Sequence, residues 1–81
     1  MARVQFMVTQ RHHTGGVAEV DLPATDFRAA VSAIRARFPA FPERELTDCT
    51  VAIDGRIVNR PWLEALRPDS ELRFVARIGA G

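Results

Sequence analysis

The sequence predicts an α+β fold in which a β-sheet packs against one α-helix, in the order ββαββ with one further short strand. Three observations support this class. Apolar and polar residues alternate near both ends of the chain, a helical stripe of apolar residues lies between them, and Asp54-Gly55 is a strong hairpin signal. The 81 residues form one domain, because the chain is too short to bury two cores.

The first strand is predicted over residues 3–9, where alternate positions are apolar. Its core-facing residues are expected to be Val4, Phe6 and Val8. A polar loop over residues 10–16 ends in two glycines, a turn signal. Residues 17–22 alternate again, so both segments are expected to form an antiparallel hairpin with a long tip.

The helix is predicted from apolar residues spaced four, three and four apart, which form one stripe of an amphipathic helix. These residues are Phe27, Val31, Ile34 and Phe38. Thr25 or Asp26 is expected to cap the N-terminus, and Pro39 to end the helix. Residues 39–48 are predicted to be a loop that contains two prolines.

The C-terminal half is predicted to contain a β-hairpin and a final strand. Residues 50–53 and 56–58 flank the Asp54-Gly55 turn. Residues 61–66 are expected to make a helical turn that buries Leu63 and Leu66, and residues 68–70 another turn. The last strand covers residues 71–78. Its core-facing residues are expected to be Leu72, Phe74, Ala76 and Ile78.

The composition excludes several classes of protein. With 47% hydrophobic and 26% charged residues, the chain has the composition of a soluble globular protein. No apolar run is long enough for a transmembrane helix, and the N-terminus does not read as a signal peptide. A net charge of +1 gives no general footprint for nucleic acid. The lone Cys49 fits a reducing cytoplasm, where we expect the protein to be located.

No catalytic constellation emerges, and we predict that the chain is not an enzyme. The adjacent His12 and His13 are expected to diverge on a solvated loop tip, with no metal site. Cys49 is interpreted as a structural thiol rather than a nucleophile. Two features have two possible roles each. Trp62 could pack at the edge of the core or contact a partner, and the helix arginines could form a solvated face or bind an acidic partner surface; these are Arg28, Arg35 and Arg37.

A partner-binding face is predicted where the first and last strands meet. Met7 and Val75 occupy the outward phase of their strands, and Arg3, Arg73 and Arg77 share that phase. If the two strands are neighbours, Met7 and Val75 form an apolar spot within a ring of arginines. That is the composition of an interface, although incidental exposure is the alternative.

The C-terminus is predicted to be a slim, flexible tail over residues 78–81. After Ile78 the chain has Gly79, Ala80 and Gly81, none of which has a bulky side chain. Such a tail could enter a narrow channel and present its carboxylate to the chemistry of another protein. The alternative is a frayed end.

The sequence resembles the MoaD/ThiS family of ubiquitin-like sulfur-carrier proteins over its whole length. The first strand is similar to that of the family, and Val51-Ala52-Ile53-Asp54-Gly55 resembles its "v-a-v-N-g" hairpin. Residues 66–74 resemble "L-x-x-G-D-E-V-x-F", and Gly81 corresponds to the second glycine of a terminal Gly-Gly. The resemblance implies a β-grasp fold with a mixed sheet in which the first and last strands are adjacent and parallel.

The resemblance also implies a function. An E1-like enzyme would use ATP to adenylate the carboxylate of Gly81, sulfur transfer would give a thiocarboxylate, and the carrier would hold no cofactor of its own. The length is closest to molybdopterin synthase small subunits, so the expected partners are the E1-like enzyme and either the large catalytic subunit of that synthase or another sulfur-accepting enzyme. Ala80 departs from the family, which has glycine there. A non-carrier β-grasp module that binds a partner through its sheet face is therefore the alternative.

Overall fold

The computed structural model describes residues 1–76. The expected tail residues Ile78, Gly79, Ala80 and Gly81, together with Arg77, lie outside this range. The strands are β1 (Ala2–Gln5), β2 (Glu19–Leu22), β3 (Thr50–Ile53), β4 (Arg56–Asn59) and β5 (Glu71–Val75). The α-helices are α1 (Phe27–Arg37) and α2 (Glu43–Thr47), and a 3₁₀ helix covers Val8–His13.

The five strands form one mixed sheet in the order β2-β1-β5-β3-β4. β1 and β5 are parallel, with Gln5 opposite Arg73, and all other neighbours are antiparallel. This confirms the predicted α+β class and the predicted order, in which ββαββ is completed by one further short strand. It also confirms the expected contact between the first and last strands. The final strand therefore occupies the centre of the sheet.

Helix α1 follows its sequence signals closely. Asp26, rather than Thr25, is the N-cap, and its side chain accepts a hydrogen bond of 2.7 Å from the Ala29 N–H. The helix ends at Arg37, just before Phe38-Pro39, because the proline disfavours helical backbone in the residue before it. Its buried residues are Phe27, Ala30, Val31 and Ile34.

The core lies between α1 and the inner face of the sheet, and Phe6 is at the centre of an aromatic cluster. The Phe6 and Phe74 rings are stacked with centroids 5.9 Å apart, and the Phe41 ring lies 5.7 Å from Phe6. The Asp54-Gly55 turn is also confirmed, since both residues have positive φ, 51° and 86°.

The first strand is shorter than predicted, and the sequence prediction for Val8 was wrong. β1 ends at Gln5 and the chain turns into the 3₁₀ helix, so Val8 is 73% exposed instead of buried. The cause is Gln10, whose buried side chain accepts a 2.9 Å hydrogen bond from the Met7 N–H. The strand alternation consequently ends after Phe6.

Three further corrections concern short segments. Helix α2 lies within the predicted loop, where Leu46 is completely buried. In the turn after β4, Leu66 is buried but Leu63 is 87% exposed, because the Glu64 N–H bonds the Pro61 carbonyl and leaves Leu63 at the apex. β5 ends at Val75, so Ala76 is exposed rather than inward.

The helices of the described part, residues 1–76, include none with the length and apolar character that crossing a bilayer requires.

Candidate partner-binding site at the end of the last strand

The candidate site is a cleft at the C-terminal end of β5. Because β5 lies between β1 and β3, its last residue, Val75, stands opposite Thr50 and close to the segment that follows β1. The cleft has a volume of about 310 Å³, and Met7, Val75 and Ala76 line its apolar part. The structure therefore brings Met7 and Val75 to the same cleft, close to Ala76, the last described residue.

Met7 reaches this cleft by a different route from the one predicted. It lies beyond β1, its N–H is bonded to Gln10, and its side chain is half-buried against the core. Val75 is also half-buried. Neither residue is a fully exposed position on the outer face of the sheet, so the strand phase assigned to Met7 was wrong.

A second depression of about 460 Å³ shares Met7 and Phe74 with the first. Val8, Arg11 and Arg73 line it, together with Glu19. Val8 supplies exposed apolar surface, and the buried Nε atom of Arg11 has no hydrogen-bond partner within residues 1–76. The sequence gives no sign of Val8 and Arg11 as site residues, because a 3₁₀ helix of six residues has no periodicity that would reveal it.

Of the expected ring of arginines, the described residues include Arg3 and Arg73, and these two line different depressions. Arg73 lines the second depression, where its Nε donates to Gln5 Oε1 at 2.9 Å. Arg3, two residues before Gln5 on β1, lines a different depression, where its Nε donates to Asp21 Oδ1 at 3.3 Å. This hydrogen bond, with the charges of nearby carboxylates, raises the pKa of Arg3 above its ordinary value.

The two histidines do not diverge, contrary to the sequence prediction. Their ring centroids are 3.8 Å apart, and His13 Nε2 lies 2.9 Å from Glu45 Oε2 on α2. Helix α2, which the sequence did not reveal, supplies the carboxylate that turns His13 inward. Residues 1–76 contain no cluster of three or more His, Cys, Asp or Glu residues that could hold a metal ion. The Cys49 thiol donates to the Leu46 carbonyl at 3.2 Å.

The turn before β5 fixes the direction of the last strand. Asp54 accepts hydrogen bonds from the Glu71 N–H at 2.9 Å and from the Ser70 hydroxyl at 3.0 Å. Arg67 Nη2 lies 3.2 Å from the same carboxylate. The backbone bond from Glu71, then the bonds from Ser70 and Arg67, lower the pKa of Asp54. The hairpin and the turn, both motifs of the resemblance, thus form one structural network.

Comparisons with known proteins bear on the fold. No family model and no curated protein sequence matches the chain. Among solved structures, the chain is similar to SAMP1 from Haloferax volcanii, with a TM-score of 0.67 and 19% sequence identity. The match covers 99% of this chain and 98% of that chain. The fold is therefore a ubiquitin-like β-grasp, as the sequence predicted.

Proposed function

We propose that the chain is a ubiquitin-like sulfur carrier whose Gly81 carboxylate is adenylated by an E1-like enzyme and converted to a thiocarboxylate. The observation that carries this proposal is the position of β5, the central strand of a β-grasp sheet, which ends beside a cleft whose lining includes Met7 and Val75. Five residues follow Ala76, and they could span at most about 17 Å. That length would let Gly81 enter the active site of a docked enzyme.

The chemistry follows from the low reactivity of a carboxylate. One oxygen of the Gly81 carboxylate attacks the α-phosphorus of ATP, pyrophosphate leaves, and an acyl-adenylate forms. Hydrosulfide, or an equivalent sulfide donor, then attacks the carbonyl carbon and expels AMP. The net change is the exchange of one oxygen for one sulfur, without oxidation or reduction. All ATP binding belongs to the partner, so the carrier needs no cofactor of its own.

The two depressions at the end of β5 supply the docking surface in this proposal. Met7, Val8 and Val75 give it an apolar centre, and Arg73 lies at its rim, with Arg77 following in the sequence. An apolar centre with an arginine rim is typical of interfaces that form and dissociate. Ile78, Gly79 and Ala80 would occupy the narrow channel that leads to the reacting carboxylate.

We propose molybdopterin synthesis as the receiving pathway, in which the large subunit of molybdopterin synthase would accept the sulfur. The assignment rests on the resemblance of the chain length, and of the extended segment after α1, to the small subunits of that enzyme. In the structure this segment contains α2 and packs Phe41 and Leu46 into the core. It is therefore an integral part of the domain.

The proposal is tested by intact mass. After incubation with the E1-like enzyme of the same genome, ATP and a sulfide donor, we expect a gain of about 16 Da confined to the C-terminal peptide, since the proposal assigns the reaction to the Gly81 carboxylate. The mass before reaction checks that Gly81 is the terminal residue, which the proposal requires. Deletion of Gly81 should abolish the shift. Ala80→Gly should preserve or accelerate it, because glycine relaxes the backbone in a tight channel.

A second candidate is a non-carrier interaction module that uses the same surface. The exposed Val8 beside Met7 favours it, because this surface could bind a partner without any chemistry at the tail. The mass experiment separates the two functions. An unchanged mass in both the natural chain and the Ala80→Gly variant would reject the carrier and leave the interaction module.

A further inference from the structure

A groove on the helical layer is separate from the surface at the end of β5. It has a volume of about 500 Å³ and lies between α1, the start of α2 and the turn after β4. Arg28, Ser32 and Arg35 form its α1 side, and Trp62 and Glu43 border it elsewhere. Arg73 does not line this groove. It is exposed on β5, whereas its neighbours Leu72 and Phe74 are buried in the core.

The groove is held in a fixed shape by the backbone. The Phe27 N–H bonds the Glu64 carbonyl at 2.9 Å, and the Leu66 N–H bonds the Thr25 carbonyl at 2.9 Å. These bonds fix the turn after β4 against the start of α1. The Trp62 side chain is therefore half-buried against the core, and it also lines the groove. Next to it in the chain, Leu63 is 87% exposed.

The charges on this side are unbalanced. All three charged residues within α1 are arginines, and all three are exposed. Within the described part of the chain, none of Arg28, Arg35 and Arg37 lies in an ion pair with a carboxylate. Elsewhere on the described surface, Arg3, Arg56 and Arg67 each have such a pair, whereas Arg11, Arg44, Arg60 and Arg73 do not, so what sets α1 apart is that it carries three arginines and no acidic residue.

Arg35 is also positioned in advance for a ligand. Its Nε donates to the Phe41 carbonyl at 3.2 Å, which orients the guanidinium and leaves its four Nη–H donors for other acceptors. Less conformational entropy is therefore lost when a carboxylate binds. Arg28 lies seven residues earlier, about two helical turns away on the same side of α1.

We infer that this groove docks an acidic segment of a partner protein, with carboxylates on Arg28 and Arg35 and an apolar side chain against Trp62. Arginine and tryptophan are the residues that most often dominate binding energy at protein interfaces. The two arginines of the groove and a net charge of +1 are too few cations for a polyphosphate backbone, so a polypeptide fits better than a nucleic acid. The inference is independent of the tail chemistry.

The fluorescence of Trp62 reports on this groove, because the chain contains one tryptophan and no tyrosine. The probe is a short peptide of glutamate and aspartate around a Leu-Leu pair, titrated while Trp62 fluorescence is recorded in low salt. We expect saturable binding that weakens with added NaCl, because salt screens exposed ion pairs. Arg28→Glu or Arg35→Glu should weaken binding roughly tenfold, because a charge placed against a like charge is repelled.

Arg73→Glu is the matched control, with the same charge change on the sheet. Compared at about 0.1 M salt, where the Debye length is about 10 Å, it should alter the peptide affinity by less than about twofold, since more distant exposed charges are then screened. Thermal melts confirm that each variant is folded. Glu43→Gln should tighten binding, because it removes a negative charge from the groove.

The opposite results would overturn the inference. The first such result is a Trp62 fluorescence that does not saturate with peptide, and the second is an equal loss of affinity in Arg28→Glu and Arg73→Glu. Equal binding of a peptide with Gln and Asn in place of the acidic residues, or tighter binding of single-stranded RNA than of the peptide, would also overturn it. The sulfur exchange at Gly81 is measured separately by mass. Failure of the groove experiment therefore leaves the carrier proposal intact, and failure of the mass experiment leaves the groove intact.

Discussion

Asp54 combines two roles that are usually divided between residues. Its backbone occupies the left-handed region at φ 51°, which the two-residue hairpin needs, and its carboxylate accepts hydrogen bonds from the start of β5. Aspartate tolerates this conformation better than most residues do. One side chain therefore links the β3–β4 turn to the strand that leads to the tail.

The lowered pKa of Asp54 predicts how stability depends on pH. Because the carboxylate is more acidic in the folded state than its ordinary value of 3.8, its contribution is present above that value and is lost as the pH falls through the folded pKa. We expect the free energy of unfolding of the natural chain to exceed that of Asp54→Asn at neutral pH. The difference should shrink below about pH 4.

Chemical denaturation from neutral to acidic pH measures this difference. Asparagine is a suitable replacement, because it tolerates positive φ and keeps one side-chain acceptor. A difference that stays constant down to the lowest accessible pH would show that the Asp54 carboxylate does not stabilise the fold through its charge. Asp69→Asn, a charge change in the turn before Ser70, serves as the control.

At the scale of elements, the sequence predicted those that carry a repeating pattern or a specific turn signal. Helix α1 had its apolar stripe and its Asp26 cap, and the β3–β4 hairpin had Asp54-Gly55. The end of β1 and the helix α2 could not be predicted. In both places a few residues adopt their conformation because of tertiary contacts, such as the buried Gln10 side chain, and these leave no periodic trace.

Helix α2 should be held by burial rather than by its own propensity. Five residues are too few for a stable isolated helix, and Leu46 is its one buried residue. Leu46→Ala should therefore cost about 2–5 kcal/mol of unfolding free energy, through lost transfer energy and the cavity that remains. A simple loop at this position would lose far less.

Urea denaturation measures this cost, and Arg44→Ala on the exposed side of α2 is the matched control. Surface substitutions of that kind usually change stability by less than about 0.5 kcal/mol. Equal effects of Leu46→Ala and Arg44→Ala would mean that α2 does not contribute to the core.

At the scale of the whole molecule, the parallel pairing of β1 and β5 determines where the candidate site forms. It brings the segment after the first strand to the end of the last, so Met7 and Val75 meet although 68 positions separate them. The sequence predicted this pair from alternation and resemblance. It could not predict Val8 and Arg11, because their positions depend on the 3₁₀ helix that replaces the last part of the predicted strand.

The exposed Val8 gives the cleanest test of this surface. Val8→Asp should leave the protein folded, because the side chain is 73% exposed. It should weaken binding of the E1-like enzyme by about 2 kcal/mol, or roughly 30-fold, if Val8 lies in the desolvated centre of the interface. Met7→Asp and Val75→Asp should also weaken binding, but both residues are half-buried and their loss of stability complicates the result.

Ile57→Asp is the matched control, since Ile57 is 61% exposed on the edge strand β4, away from the end of β5. Calorimetric titration gives the affinity of each variant, and a thermal melt reports its stability. We expect Ile57→Asp to bind within about twofold of the natural chain, because substitutions outside the interface core are nearly neutral. Equal losses for Val8→Asp and Ile57→Asp would place the contact on the outer face of the sheet instead of at the end of β5.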